Sequence, residues 1–144
     1  MLKFKFKLEP VKKAKENLSK TIKKDIAKID SMINEKNDER DRLINELDSL
    51  RNYRLNRVSS SEMQFIEGYK IALSSKIKDI EKEILELEKH KENKIKQLQV
   101  YNKELKIIER FEEIKRNEFE KEQNKIENKT FDEIAIQNYA REKL

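Results

Sequence analysis

Residues 22–50 read IKKDIAKIDSMINEKNDERDRLINELDSL. Within them Ile22, Ile26, Ile29, Ile33, Lys36, Arg40, Leu43, Leu47 and Leu50 follow one another in steps of four and three without a break. That is a heptad seam, with Ile22, Ile29, Lys36, Leu43 and Leu50 at d and Ile26, Ile33, Arg40 and Leu47 at a. Seven of the nine are apolar and nearly everything between them is polar or charged. A helix of this kind buries its stripe against another helix.

The partner helix comes from the same chain. After Val58-Ser59-Ser60-Ser61-Glu62 a second seam begins. Its a positions are Met63, Lys70, Ile77, Ile84, Lys91, Leu98 and Leu105; its d positions are Ile66, Leu73, Ile80, Leu87, Lys94, Tyr101 and Ile108. Serines favour caps over helix interiors, and Ser59 with Glu62 has the spacing of a capping box. A tight turn between two heptad helices gives an antiparallel hairpin. The register expected sets Ile29 near Lys91, and Leu47 near Ala72 and Leu73.

Composition agrees. Of 144 residues, 44% are charged, with one Gly, one Pro and no Cys. A β-protein needs more turn residues than that, whereas Glu, Lys, Ile and Leu suit long helices. Disulfides and thiolate metal sites are excluded. No apolar run reaches the ~18 residues of a membrane span. The start, Met-Leu-Lys-Phe-Lys-Phe-Lys, lacks the apolar core of a secretory signal, so a cytoplasmic location is expected. The only glycine is Gly68, which rules out phosphate-cradling loops. One histidine, His90, falls at a surface heptad position. No catalytic residue, cofactor or metal is expected.

The expected layout is all-α and single-domain: a lead-in over 1–9, helix 1 over 10–58, a turn at 59–61, helix 2 over 62–129, and an amphipathic tail over 130–144. Phe4, Phe6 and Leu8 alternate with lysines, an extended pattern. Pro10 suits a first helical turn, where its missing N–H costs nothing. Val11, Ala14 and Leu18 are expected to carry the apolar stripe into Ile22. Helix 2 outlasts helix 1. Between Lys115 and Thr130 only Phe119 and Ile126 are apolar, which suits a solvated extension. Thr130-Phe131-Asp132-Glu133 then has the form of a new helix start. Phe131, Ile134, Ala135 and Tyr139 follow at helical spacing.

Charge is unevenly spread. Residues 1–24 hold nine lysines against Glu9 and Glu16, leaving −2 of the chain's net +5 for the other 120 residues. A basic start can meet nucleic acid, anionic lipid or an acidic protein surface, or it can be a solvated helix end. Lys36, Arg40, Lys91 and Lys94 interrupt the seams. Their stems can cover it while their charges reach water, or they can loosen the seam or specify its register. Near the turn, Tyr53, Phe65 and Tyr69 lie off the seam. They either flank and cover it or form an exposed apolar patch that binds a partner. The tail's apolar face is the strongest docking candidate, as a helix for a groove.

The opening Phe4-Lys5-Phe6-Lys7-Leu8-Glu9-Pro10-Val11 resembles the start of the flagellar export FliJ family. So do Ser-Ser-Ser-Glu-Met at the turn with Tyr69 and Leu73 after it. Glu122-Gln123-Asn124-Lys125, Phe131-Asp132-Glu133-Ile134-Ala135 and Tyr139-Ala140-Arg141 resemble the family's endings. Asn124, where Lys is common, and Pro10 depart from the pattern. The resemblance implies a non-enzymatic central stalk and adaptor of flagellar type III protein export and motility. It implies docking to the export ATPase hexamer, contact with the membrane export gate protein, and handling of export chaperones. It also implies a place at the cytoplasmic face of the inner membrane. On that reading Lys12, Lys13, Leu18, Phe119, Phe131, Ile134 and Tyr139 engage the ATPase ring. Tyr53, Phe65, Tyr69 and Leu73 at the hairpin tip engage the gate or chaperones. The chain is expected to be a monomeric hairpin that binds no nucleic acid. The alternatives are a generic structural coiled coil and a basic nucleic-acid or anionic-surface binder; the second lacks an aromatic stacking platform beside its lysines.

Overall fold

The computed structural model describes residues 2–52 and 59–142. It contains two helices, α1 (Glu9–Arg51) and α2 (Ser60–Glu142). Contacts divide the chain into two compact units: unit 1 is Met1–Leu18 with Val100–Leu144, and unit 2 is Ser19–Gln99. In each unit the two helices pack antiparallel, so the all-α hairpin expected from the heptads is what the chain forms.

In unit 2 the seam is the core. Ile22, Ile29, Leu43 and Leu47 of α1, and Leu73, Ile77, Ile80 and Ile84 of α2, are buried, and every one is an a or d residue. Leu43, Leu47, Leu73, Ile77, Ile80 and Ile84 form one cluster, flanked by Ile33, Ile44 and Leu50. Each fully buried aliphatic side chain contributes about 1.5–3 kcal/mol relative to exposure. The charged interruptions find carboxylates on the facing helix. Lys36 Nζ lies 2.7 Å from Glu83, Lys91 Nζ 2.5 Å from Asp30, and Lys94 Nζ 3.6 Å from Asp25. Arg40 instead bonds its neighbour Asp41 at 3.2 Å. The stems cover the seam and the heads sit at its half-exposed edge.

In unit 1 the same heptad phase continues backward from Ile22, and this corrects one expectation. Val11 and Leu18 are exposed; the residues facing α2 are Lys12 and Lys15 and, at the start of unit 2, Ser19, which inherit the a and d positions. A continuous helix cannot change phase without an inserted turn, so the run from Ile22 to Leu50 dictates which side faces inward. Polar residues therefore line the first seam layers. Lys12 donates to Glu112 at 2.7 Å and Lys15 to Glu104 at 2.5 Å. Lys15 Nζ also lies 5.9 Å from the Tyr101 ring centre.

α1 opens at Glu9 rather than at residue 10, and the other bounds differ from expectation in three places. α1 closes at Arg51 rather than at residue 58. Asn52 is in a turn whose N–H reaches Asp48 O at 3.1 Å; residues 53–58 lie outside the described ones. α2 opens at Ser60, where the Glu62 N–H donates to Ser59 Oγ at 3.3 Å, the expected cap. At Thr130 no new helix starts. Its hydroxyl donates back to Ile126 O at 2.9 Å. That bond satisfies the preceding turn instead of capping a following one, and α2 runs through to Glu142.

Candidate partner-docking surfaces

The lead-in precedes α1 and takes its place beside α2 in unit 1. Residues 2–6 are non-helical, and their alternation turns Phe4 and Phe6 toward α2 while Lys3, Lys5 and Lys7 stay exposed. Phe4 meets Phe119 with ring centres 5.6 Å apart, and Phe6 meets Phe111 at 6.0 Å, both tilted. Arg116 lies over the Phe4 ring at 5.4 Å, and Lys115 over Phe111 at 5.4 Å. These are ordinary aromatic and cation–π geometries. An open groove of about 660 Å³ remains beside them, lined by Phe4, Phe6, Phe111, Lys115, Phe119 and Glu122. Phe119 falls in the stretch expected to be a solvated extension; the structure gives it Phe4 as its cover. The signal was present in the alternating phenylalanines. Pairing residues more than a hundred positions apart required the register beyond the end of α1.

Of the other residues expected to engage a ring, Lys12 is committed to Glu112. This hydrogen bond holds its ammonium pKa above the usual lysine value, against a smaller opposing effect of burial. Lys13 is exposed and Leu18 is half exposed. Phe131, Ile134 and Tyr139 sit together on the last turns of α2, with Phe131 67% and Tyr139 58% exposed. Phe131, Ile134 and Ala135 carry apolar surface outward on a single helix.

At the other end, Tyr53 lies outside the described residues. Phe65 is exposed and stacks on Tyr69, rings nearly parallel and 6.5 Å apart. The Tyr69 hydroxyl donates to the Glu46 carboxylate across the helix pair. That bond raises the Tyr69 pKa, with burial and the Glu46 charge adding to it. Leu73 belongs elsewhere: it is 4% exposed, packed into the seam cluster. A d-position leucine is a core residue, and its place near the aromatics in sequence does not put it on their surface. Gly68, one turn from Phe65, has open space where a Cβ would stand.

Among the described residues no cluster of three or more His, Cys, Asp or Glu side chains is arranged to hold a metal. None of their helices is long and apolar enough to cross a membrane. What the surfaces offer chemically is apolar and aromatic contact with charged margins.

No curated protein and no solved structure matches the chain. A family model does, the flagellar FliJ protein, over residues 4–144. It spans the aromatic lead-in, both helices and the exposed end of α2. The chain belongs to the FliJ family of flagellar export components.

Proposed function

We propose that this chain is a non-enzymatic stalk and adaptor of flagellar type III export, which docks into the export ATPase ring and links it to the membrane export gate and to export chaperones. The observation that carries the reading is the exposed apolar end of α2. Phe131, Ile134 and Tyr139 extend past the last contacts of the lead-in, on a chain whose family belongs to flagellar export. A single amphipathic helix of this kind suits a groove in a larger partner. Lys13 and Leu18 border the same unit, and the lysines of the lead-in supply attraction to an acidic ring wall. The Phe65–Tyr69 pair is the contact for the gate or chaperones, with Tyr53, which precedes the turn in sequence, assigned to the same contact. The protein works at the cytoplasmic face of the inner membrane, held there by partners.

The test is ATP turnover by the cognate export ATPase with and without this protein, and with Phe131→Ala/Tyr139→Ala. Stimulated turnover that is lost in the variant, at unchanged helicity, supports ring docking. Unchanged turnover with no binding by the native chain ends the proposal. For the tip, Phe65→Ala/Tyr69→Ala at normal protein level should impair motility; normal swarming removes that assignment.

A further inference from the structure

Unit 1 carries a second apolar stripe, off its seam. On α2 it comprises Val100, Ile107 and Ile114, one heptad apart, with Phe111 beside them; all four are 40–69% exposed. On α1 it comprises Val11 and Leu18, also one heptad apart and exposed. Val11, Leu18 and Phe111 occupy g positions, and Val100, Ile107 and Ile114 the adjacent c positions. An antiparallel seam sets g beside g, as the Tyr69–Glu46 bond shows directly in unit 2. Both stripes of unit 1 therefore lie on one side of its helix pair, and along the furrow between them run Phe111 and the Lys15–Glu104 ion pair. Its rim on α2 is mainly basic: Lys103, Lys106 and Arg110, all exposed, against Glu113.

The end of α2 has the complementary character. Counted in the same heptads, Phe131, Ile134, Ala135 and Tyr139 fall at f, b, c and g, the side of α2 that also bears Val100, Ile107 and Ile114. Glu127, Asp132 and Glu142 lie on or beside that face against a single base, Arg141, so it is apolar with mainly acidic margins. α2 is unbroken from Ser60 to Glu142, so this segment cannot fold back onto its own furrow. Residues 126–142 would span ~25 Å as helix, and Val100 to Ile114 spans ~21 Å.

We propose that a second copy of this chain fills the furrow. Two α2 helices lie antiparallel about a two-fold axis near Phe119, each giving its acidic end to the other's basic-rimmed furrow. With that axis Phe131 faces Ile107 of the other copy. Glu127 comes to Arg110 and Asp132 to Lys106, opposite charges across an apolar strip. The interface is isologous, so each favourable contact occurs twice. The dimer occupies the segment that the function proposed above assigns to the ATPase ring. It is thus a storage form, exclusive with ring docking, although its existence does not depend on that reading.

Sedimentation equilibrium of the purified full chain, from about 5 to about 500 µM, tests this without any ATPase. The expected result is a reversible monomer–dimer equilibrium that is lost on truncation after Lys125. Lys106→Glu/Arg110→Glu weakens association at least tenfold, as does Glu127→Lys/Asp132→Lys, and mixing the two variants restores a heterodimer. Because the chain has no cysteine, Ile107→Cys/Phe131→Cys should also give a covalent dimer on mild oxidation, while Leu85→Cys/Phe131→Cys should not. Circular dichroism confirms that each variant keeps its helicity. A chain that stays monomeric throughout, or a dimer indifferent to truncation and charge reversal, overturns the proposal. In the monomeric case an acidic helix of another protein becomes the occupant to seek.

Discussion

Replacing Phe119 by Ala should release the lead-in while leaving unit 2 intact. Phe4 is partly buried, and its ring rests on Phe119. Half-burying a phenylalanine removes roughly 80–100 Å² from water, about 2 kcal/mol, and a tilted ring pair adds about 1 kcal/mol. Taking away one wall of that contact forfeits around 2 kcal/mol, since the Arg116 contact and the Phe6–Phe111 pair remain. At 1.4 kcal/mol per factor of ten this is about a 30-fold rise in the open population. Lys3, Lys5 and Lys7 are exposed there, so trypsin reports the opening directly. In the regime where cleavage follows the open population, the initial rate at Lys5 should rise about 30-fold. Ile136→Ala, exposed and further along α2, should change nothing. Cleavage in Phe119→Ala that equals the native rate would refute the claim that the aromatic pair holds the lead-in. So would an equal rise in the Ile136 control.

Three further outcomes are expected. Leu73→Ala should cost about 2–5 kcal/mol in urea unfolding, as a cavity in the buried cluster; a cost under ~1 kcal/mol would return Leu73 to the surface. Gly68→Ala should stabilise the chain by about 1 kcal/mol, because the position is helical with room for a methyl group; a lower thermal midpoint would contradict that geometry. The pKa values of Lys12, Lys36 and Tyr69 are all raised, first by hydrogen bonds to Glu112, Glu83 and Glu46. A raised value means that the folded chain holds its proton more tightly. The stabilisation is therefore complete below about pH 10 and is lost as pH climbs through the raised values. Unfolding midpoints measured from pH 7 to 11 should fall on the alkaline side, and less steeply in Tyr69→Phe; an identical slope would remove Tyr69 from the account.

The helical pairing was legible because Ile22 to Leu50 states its period without interruption and Met63 to Ile108 answers it. Contacts such as Lys91 with Asp30 and the shared burial of Leu47 and Leu73 follow from that register. Where hydrophobicity and phase disagreed, phase prevailed: Val11 and Leu18 look like the seam, yet Lys12, Lys15 and Ser19 occupy it. Reading each stretch for its own apolar face missed that, because the orientation of the first turns is set by residues downstream. Thr130 was ambiguous for a local reason, since a hydroxyl can cap a following turn or bond back to the preceding one. The candidate surfaces were half legible. Phe65, Phe131 and Tyr139 are exposed as their spacing suggests, but Leu73 is not, and the cover on Phe119 depends on where the lead-in ends and α1 begins.

The ion pairs across the seams also bear on how the chain avoids misfolding. A repeat of seven lets two long helices zip up one heptad out of place, with apolar still meeting apolar. Such slipped hairpins would be persistent traps, because escape requires undoing many layers at once. The pairs make those traps shallow. Slipped either way by seven, Lys36 exchanges Glu83 for Lys76 or His90. Asp30 exchanges Lys91 for Ile84 or Leu98, and Lys15 exchanges Glu104 for Gln97 or Phe111. Each error sets a charge against a like charge, an imidazole, an amide or a hydrocarbon in place of its counter-ion. The interruptions that weaken the seam as a core thus let the chain tell a finished hairpin from one displaced by a heptad.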